Sequence, residues 1–430
     1  MPEQIIEASY PLSFREGDAK SLGQRLKNRR SVVLIGMKRV GISNFLRFFL
    51  YHKEIRKTYI GESNHFFIPV DLNELVEREI YPFWVLTLKR IQDAINDASE
   101  IDSESKKQAE IYFLNSIESQ DLLMTIDSVR KSLNLLVNSG LFPTIFYLRF
   151  DRIKDAATPE FFSNLQSLIE NTHHKLAFVF TSARRLSDLS PNVFKKQSLS
   201  VFADNVYIKP AKKEDTRTVL KAIKETNKLN FNEDFEEKLL EYVDGYIQHL
   251  QFALISLGEK EKKPKQEELS NFLLNDERIS LQSEELWESI NPEEQKILLK
   301  LSKKEKISKE DEEVGEYFIK TGFFDLKRKK IFSPLFEEYL KTKHQEKRKD
   351  EKIVDLSRKE LLLLNFLEQN KDQVCEREQI IEAVWPEAEE LGVTDWAIDR
   401  LVARLRGKLK VQNSKYEIVT VKTRGYKLTE

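Results

Sequence analysis

The chain has 430 residues, 40% of them apolar and 10% aromatic, which is material for several cores and, at roughly 150 residues each, about three domains. Its 70 Lys+Arg against 71 Asp+Glu give a net charge of −1, so a basic coat over the whole chain is excluded and any nucleic-acid surface must be local. The single cysteine, Cys375, excludes a disulfide framework and a cysteine zinc finger; the opening stretch MPEQIIEASYPLSF lacks the apolar core of a secretory leader and no run is long and apolar enough to span a membrane, so a cytoplasmic location is expected.

In chain order, SVVLIG at 31–36 is the first short, continuous apolar run. It is followed by Phe66–Val70, Thr144–Phe150, Leu176–Thr181 and Asn205–Ile208. Continuous apolar strands signal a parallel sheet covered on both faces. Helical patterns such as Asn44–Lys53 and Pro82–Ala98 alternate with them, so residues 1–210 are predicted to form an α/β domain. Residues 211–275 read as a purely helical lid, with KEDTRTVLKAI and DFEEKLLEYV apolar at three- and four-residue spacing. Residues 276–340 predict two helices split at Asn291-Pro292, then a strand pair, FFDL and KIFS, around a basic turn; this is the outline of a middle winged helix. Residues 341–352, KTKHQEKRKDEK, form a charged linker. The final unit, 353–430, is expected to be three helices followed by a hairpin at Tyr416–Leu428.

Two stretches carry chemistry. The first strand runs into Gly36-Met37-Lys38-Arg39-Val40-Gly41-Ile42-Ser43. A phosphate loop calls for Gly, four residues, Gly, Lys and then Ser or Thr. Gly36, Gly41 and Ser43 fit, and Lys38 and Arg39 lie within the turn, but Ile42 stands at the lysine position. Backbone N–H groups can still cradle phosphate without that side chain. A lysine restored at 42 should strengthen ATP affinity if the loop geometry survives. The strand TIFYLRFD supplies Asp151 as a candidate magnesium ligand, with Arg152 where a second acid would orient water. LAFVFTSARR brings Thr181 and Ser182 to the carboxyl edge of the sheet, where ligands bind. GMKRVGIS, Asp151 and TSARR together resemble the STAND group of P-loop NTPases, within the broad AAA+ type. That resemblance implies ATP or ADP with Mg as ligand. The Gly-x-Pro of the lid in that group is here Gly245-Tyr246-Ile247. Three readings stay open: a fold retained without nucleotide, nucleotide binding without turnover, and a competent ATPase.

The second stretch is the C-terminal unit. Ser357 and Glu360 form a capping-box signature before a helix whose apolar side is Leu361, Leu364, Phe366 and Leu367. REQIIEAVW follows, and then DWAIDRLVARLRGKLK, capped by Thr394 or Asp395, with Ile398, Leu401, Leu405 and Leu409 toward the core. Trp396, Arg400, Ala403, Arg404 and Gly407 fall on another face. From Arg400 to Lys427 there are nine Lys/Arg and one acid; from Asp355 to Asp399 there are four Lys/Arg and twelve acids. Cations at that density neutralise phosphates, and arginines on an exposed helix reach guanine edges. LSRKE-LLLL, EAVWP, DRLVARLRGKL and VTVKTRGYKL together resemble the OmpR/PhoB-type winged-helix effector domain. The resemblance implies duplex DNA as partner. It puts Arg400 on bases and Arg404 and Arg406 facing DNA, Thr420 and Lys422 on the backbone, and Tyr426 near the minor groove. Trp396 and Arg424 complete the candidate surface. Transcriptional regulation is the expected function, with nucleotide, self-association or RNA polymerase as further partners. The alternatives are a nucleotide-hydrolysing switch in replication initiation or phage defence, and a module whose winged helices bind protein.

Overall fold

The computed structural model describes residues 5–61, 64–194, 202–260, 263–303, 305, 308, 311, 315–349, 356–385, 395–411, 416–421 and 424–429. The chain divides into two compact units, residues 1–340 and 341–430.

The first unit is built on five parallel strands, β1 (Val32–Ile35), β2 (His65–Asp71), β3 (Phe142–Leu148), β4 (Ala177–Ser182) and β5 (Asp204–Tyr207), in the order β2-β3-β4-β1-β5. All of β1 and β4 is buried, which is why these segments read as unbroken apolar runs. Helices cover the sheet. Ile42–Tyr51 follows β1 and buries Phe45, Leu46, Phe48 and Phe49. Between β2 and β3 come Ile80–Asp97, Ser103–Ser119 and Leu122–Asn138. The strand predicted to run to Phe150 ends at Leu148, because Arg149 turns into the left-handed region at φ 58° and residues Phe150–Ile153 form a 3-10 turn. Asp151 therefore sits in that turn, beyond the strand end.

Helices Lys213–Thr226, Glu233–Val243 and Ile247–Glu259 follow β5. Next come Glu277–Glu288 and Pro292–Ser302, the latter opened by an Asn291/Glu294 capping box. Helix Glu316–Thr321 precedes a short antiparallel pair, β6 (Phe324–Asp325) and β7 (Lys330–Ile331). The basic turn of that pair is held at home: Lys330 pairs with Asp244 at 2.8 Å and Arg328 with Asp325 at 3.5 Å.

The second unit has helices Arg358–Gln369, Arg377–Val384 and Asp395–Val411. Its sheet is β8 (Cys375–Glu376), β9 (Glu417–Val421) and β10 (Gly425–Thr429), in the order β8-β10-β9. This is a winged helix. The Ser357/Glu360 capping box is formed. Leu363 and Leu367, rather than Leu361, face the core; Leu361 is 49% exposed. Ile380, Val384, Ile398, Leu401, Val402, Leu405, Leu409, Ile418 and Leu428 complete that core. A Cβ on Gly425, at φ +154°, would lie 2.0 Å from the Cys375 carbonyl oxygen, so β10 can approach β8 only through a glycine. Residues 386–394, among them Thr394, lie outside the described residues.

Candidate nucleic-acid interface and phosphate loop

The third helix of the terminal unit presents two kinds of surface. Its core seam is apolar. On the opposite side Asp399, Ala403, Gly407 and Lys410 are exposed, with Trp396, Arg400 and Arg404 half-buried along the flanks. A side chain at Gly407 would meet nothing within 4 Å, so this stripe is low and open. A helix of this width fits the major groove, and small residues let its backbone come close to a ligand.

The arginines beside that stripe do different jobs. The Nε of Arg406 donates to the Ile418 carbonyl and its Nη2 to Thr420 Oγ1, both at 2.7 Å, which clamps the helix to β9. Arg404 and Lys408 converge on the buried carboxylate of Glu360, at 3.8 and 2.7 Å. Burial pushes the Glu360 carboxyl up, but the hydrogen bonds from Lys408 and Ser357 prevail and hold it below the usual range. Arg404 therefore serves the fold as well as any DNA surface. Tyr426, which the resemblance put near the minor groove as an anchor of the wing, is 3% exposed and belongs to the core of the unit. Its hydroxyl donates to Asp399, and its ring lies near the guanidinium groups of Arg377 and Arg406. Burial, then Asp399, pushes its phenol up to about 12. Arg377, which sequence reasoning missed, pairs with Asp399 at 2.6 Å and so ties the second helix to the third. Thr420 and Arg424 are exposed on the hairpin. Lys422 lies outside the described residues.

At the carboxyl edge of the first unit, the loop after β1 has the backbone of a phosphate loop, with Arg39 at φ 58° and Gly41 at φ +106° opening the helix Ile42–Tyr51. A Cβ on Gly36 would lie 2.9 Å from Val40 Cγ1 and 3.1 Å from Ile42 Cδ1. One on Gly41 would lie 2.9 Å from Ile247 Cγ1 and 3.7 Å from Arg15 Nη2. The guanidinium of Arg15 is buried and donates to the carbonyls of Lys209 and Val40 and to Asp18. The Tyr246 hydroxyl donates to the Lys38 carbonyl at 2.7 Å. Lys38 and Arg39 both reach Glu285, at 3.6 and 3.0 Å. Ser43 is exposed.

The two candidate ligands on the neighbouring strands are bound up with each other's turns. Asp151 Oδ1 accepts from Ser182 Oγ at 2.6 Å and from the Ala183 N–H at 3.0 Å. Thr181 Oγ1 accepts from the Arg149 N–H at 2.7 Å. The arginines of TSARR turn away from the loop: Arg184 forms a two-bond fork on Glu294 at 2.8 and 2.7 Å and stacks on the Tyr317 ring at 3.4 Å, while Arg185 pairs with Glu316 at 3.2 Å. Val40 and Ile42 thus crowd Gly36 and Ile247 crowds Gly41, the loop cations Lys38 and Arg39 face Glu285, and Asp151 is engaged by Ser182 and Ala183.

Residues 350–428 match the family described as "Transcriptional regulatory protein, C terminal". Over 76 residues the chain is 42% identical to the response regulator RR06 of Streptococcus pneumoniae serotype 2, a stretch that is 18% of this chain and 33% of that protein. The chain thus spans about a third of the length of the curated relative it matches. Among solved structures, a Walker-type ATPase of Pyrococcus abyssi superposes with a TM-score of 0.50 at 19% identity, over 76% of this chain and 95% of the other. The Aeropyrum pernix ORC2 protein gives a TM-score of 0.48 at 14% identity, over 80% of this chain and 98% of the other. The terminal unit is thus an OmpR/PhoB-type regulatory domain, and the first unit has a P-loop ATPase fold. Among the described residues no helix is long and apolar enough to cross a membrane.

Proposed function

We propose that this protein is a transcriptional regulator that reads duplex DNA with its terminal winged helix and uses its N-terminal P-loop fold as a sensor or oligomerisation module. The observation that carries this is the charge split of the terminal unit: nine Lys/Arg and one acid between Arg400 and Lys427, on the third helix and hairpin, joined to a family match over the same residues. In this reading Arg400, beside the bare Ala403–Gly407 stripe, reaches base edges, with Trp396 one turn before it. Lys422, Arg424 and Thr420 meet the phosphate backbone, Arg406 sets the hairpin against the helix, and Arg404 adds positive potential near the backbone. Self-association on paired half-sites, or contact with RNA polymerase, would turn binding into regulation, in the cytoplasm.

The response-regulator relative supports DNA binding as the output. The input is a separate matter: the eroded loop argues against hydrolysis as the signal, so the reading as a replication-initiation or phage-defence switch rests on fold alone. The decisive experiment is a genome-wide DNA-binding assay with the full chain beside a chain lacking residues 353–430. Discrete sites lost on truncation are expected. Site occupancy that survives truncation, or none for the full chain even at low salt, would refute the proposal.

A further inference from the structure

We infer that the phosphate loop of the first unit is a socket for the chain's own Glu285, and that this carboxylate takes the part a nucleotide phosphate plays in other proteins of the same fold. The loop keeps what recognises an oxyanion: the strand-to-helix turn, the left-handed Arg39 and Gly41, and two cations. Both cations converge on one carboxylate, Arg39 Nε donating to Glu285 Oε2 at 3.0 Å and Lys38 Nζ lying 3.6 Å from Oε1. Glu285 is buried, on the helix Glu277–Glu288, more than 240 residues along the chain from the loop it serves.

The two loop glycines are crowded by the chain's own side chains as well. Ile247 and Arg15 lie against Gly41, where the lid of such a fold would otherwise close over ligand, and Val40 and Ile42 lie against Gly36. Tyr246 fixes the loop from the lid side by donating to the Lys38 carbonyl. A carboxylate built into the same chain is present at high effective concentration and needs no binding entropy, so it outcompetes dissolved anions of similar chemistry. A polyphosphate would have to displace Glu285 against charge repulsion and also move Ile247. The loop thus works as a fastener between the sheet and the 277–288 helix.

The test uses the full chain, Glu285→Ala, the milder Glu285→Gln, and Ile42→Lys. The probes are inorganic pyrophosphate and a fluorescent ATP analogue with magnesium. Loss of the carboxylate frees Lys38 and Arg39, so pyrophosphate is expected to raise the Tm of Glu285→Ala and of Glu285→Gln by a few degrees while leaving the wild type unchanged. The ATP analogue is expected to show no saturable binding to wild type or to Ile42→Lys. Equal stabilisation of wild type and variants by pyrophosphate, no stabilisation of either variant, or saturable wild-type binding displaced by ATP would each overturn the inference. If Glu285→Ala does not fold, Glu285→Gln decides, since it keeps the shape and removes only the charge.

Discussion

At the carboxyl edge of the five-stranded sheet, Lys38, Arg39, Arg184 and Arg185 all end on carboxylates of the following helices, namely Glu285, Glu294 and Glu316. On the third helix of the terminal unit the cations are split: Arg404 and Lys408 share Glu360 and Arg406 grips the hairpin, while Arg400 and Lys410 border a stripe of Ala403 and Gly407. Both regions are rich in lysine and arginine. The difference lies in the acids. In the first unit Glu285 and Glu294 are buried opposite the cations, and Glu316 is part-exposed beside Arg185. In the second, Glu360 is buried and takes Arg404 and Lys408, while Ala403 and Gly407 stand exposed with nothing within 4 Å of a side chain at Gly407. A motif rich in cations announces an anion; the placement of nearby acids decides whether that anion is the protein's own.

The comparison breaks first where the inward pairing is strongest. Arg184→Ala leaves Glu294, whose side chain is 3% exposed, without its cationic partner and, among the described residues, with only the Asn291 N–H on it. Removing one member of such a buried pair costs about 3–5 kcal/mol, whereas replacing both with apolar residues is far milder. Thermal unfolding of Arg184→Ala and of the Arg184→Met/Glu294→Leu double variant checks this. A single variant as stable as wild type would mean the edge is not held by these pairs.

The closed side also carries a pH signature. His249 is buried between Ser333, Ser283 and the Tyr246 ring, and burial pulls its imidazole down to about 3 from an ordinary 6.5. Below pH 6.5 the unfolded chain takes up a proton that the folded chain refuses. Stability is therefore full above that pH and falls by up to about 1.4 kcal/mol per pH unit toward pH 3. His249→Gln should flatten this decline in the window above the ordinary carboxylate range. An unchanged slope there would assign the decline to other groups.

The outward side gives smaller effects, read on DNA. Arg400→Ala is expected to cost about 1–3 kcal/mol at the preferred site and to relax specificity there. Equal losses on preferred and scrambled DNA would reduce the helix to a charge carrier. Smallest is Lys422→Ala, expected to weaken all sequences alike and to lower the salt slope by about one unit. A sequence-dependent loss for this variant would move base reading onto the hairpin.

Much of this molecule was legible in its residues, for physical reasons. β1, β3 and β4 of the first sheet could be read because both faces are covered and nearly every position is apolar. The end of β3 was misread by two residues because Phe150 beyond Arg149 is again apolar while the backbone turns at Arg149, and β8 is two residues long, too short for any periodicity. In the terminal unit the core seam of the third helix was legible from its three- and four-residue spacing. The charge partners were not. Arg39 finds Glu285 across 246 positions and Arg184 finds Glu294 across 110, and no local pattern encodes such pairings. TSARR was read for its hydroxyls, yet its arginines do more of the holding. Tyr426 lay in a motif that suggested a surface; only its neighbours Asp399 and Arg377 reveal that it is a core phenol.

The bond from Arg406 to Ile418 and Thr420 has a metrical consequence. With the third helix and the hairpin joined by two short hydrogen bonds, they cannot adjust independently to a target, so the domain behaves as a caliper of fixed gap. In the proposed DNA-reading role, a duplex held by it would have to offer its major-groove sequence and the neighbouring backbone at one set distance. Tolerance for an inserted base pair then resides in how readily the DNA bends, and selectivity extends to base pairs that no side chain touches.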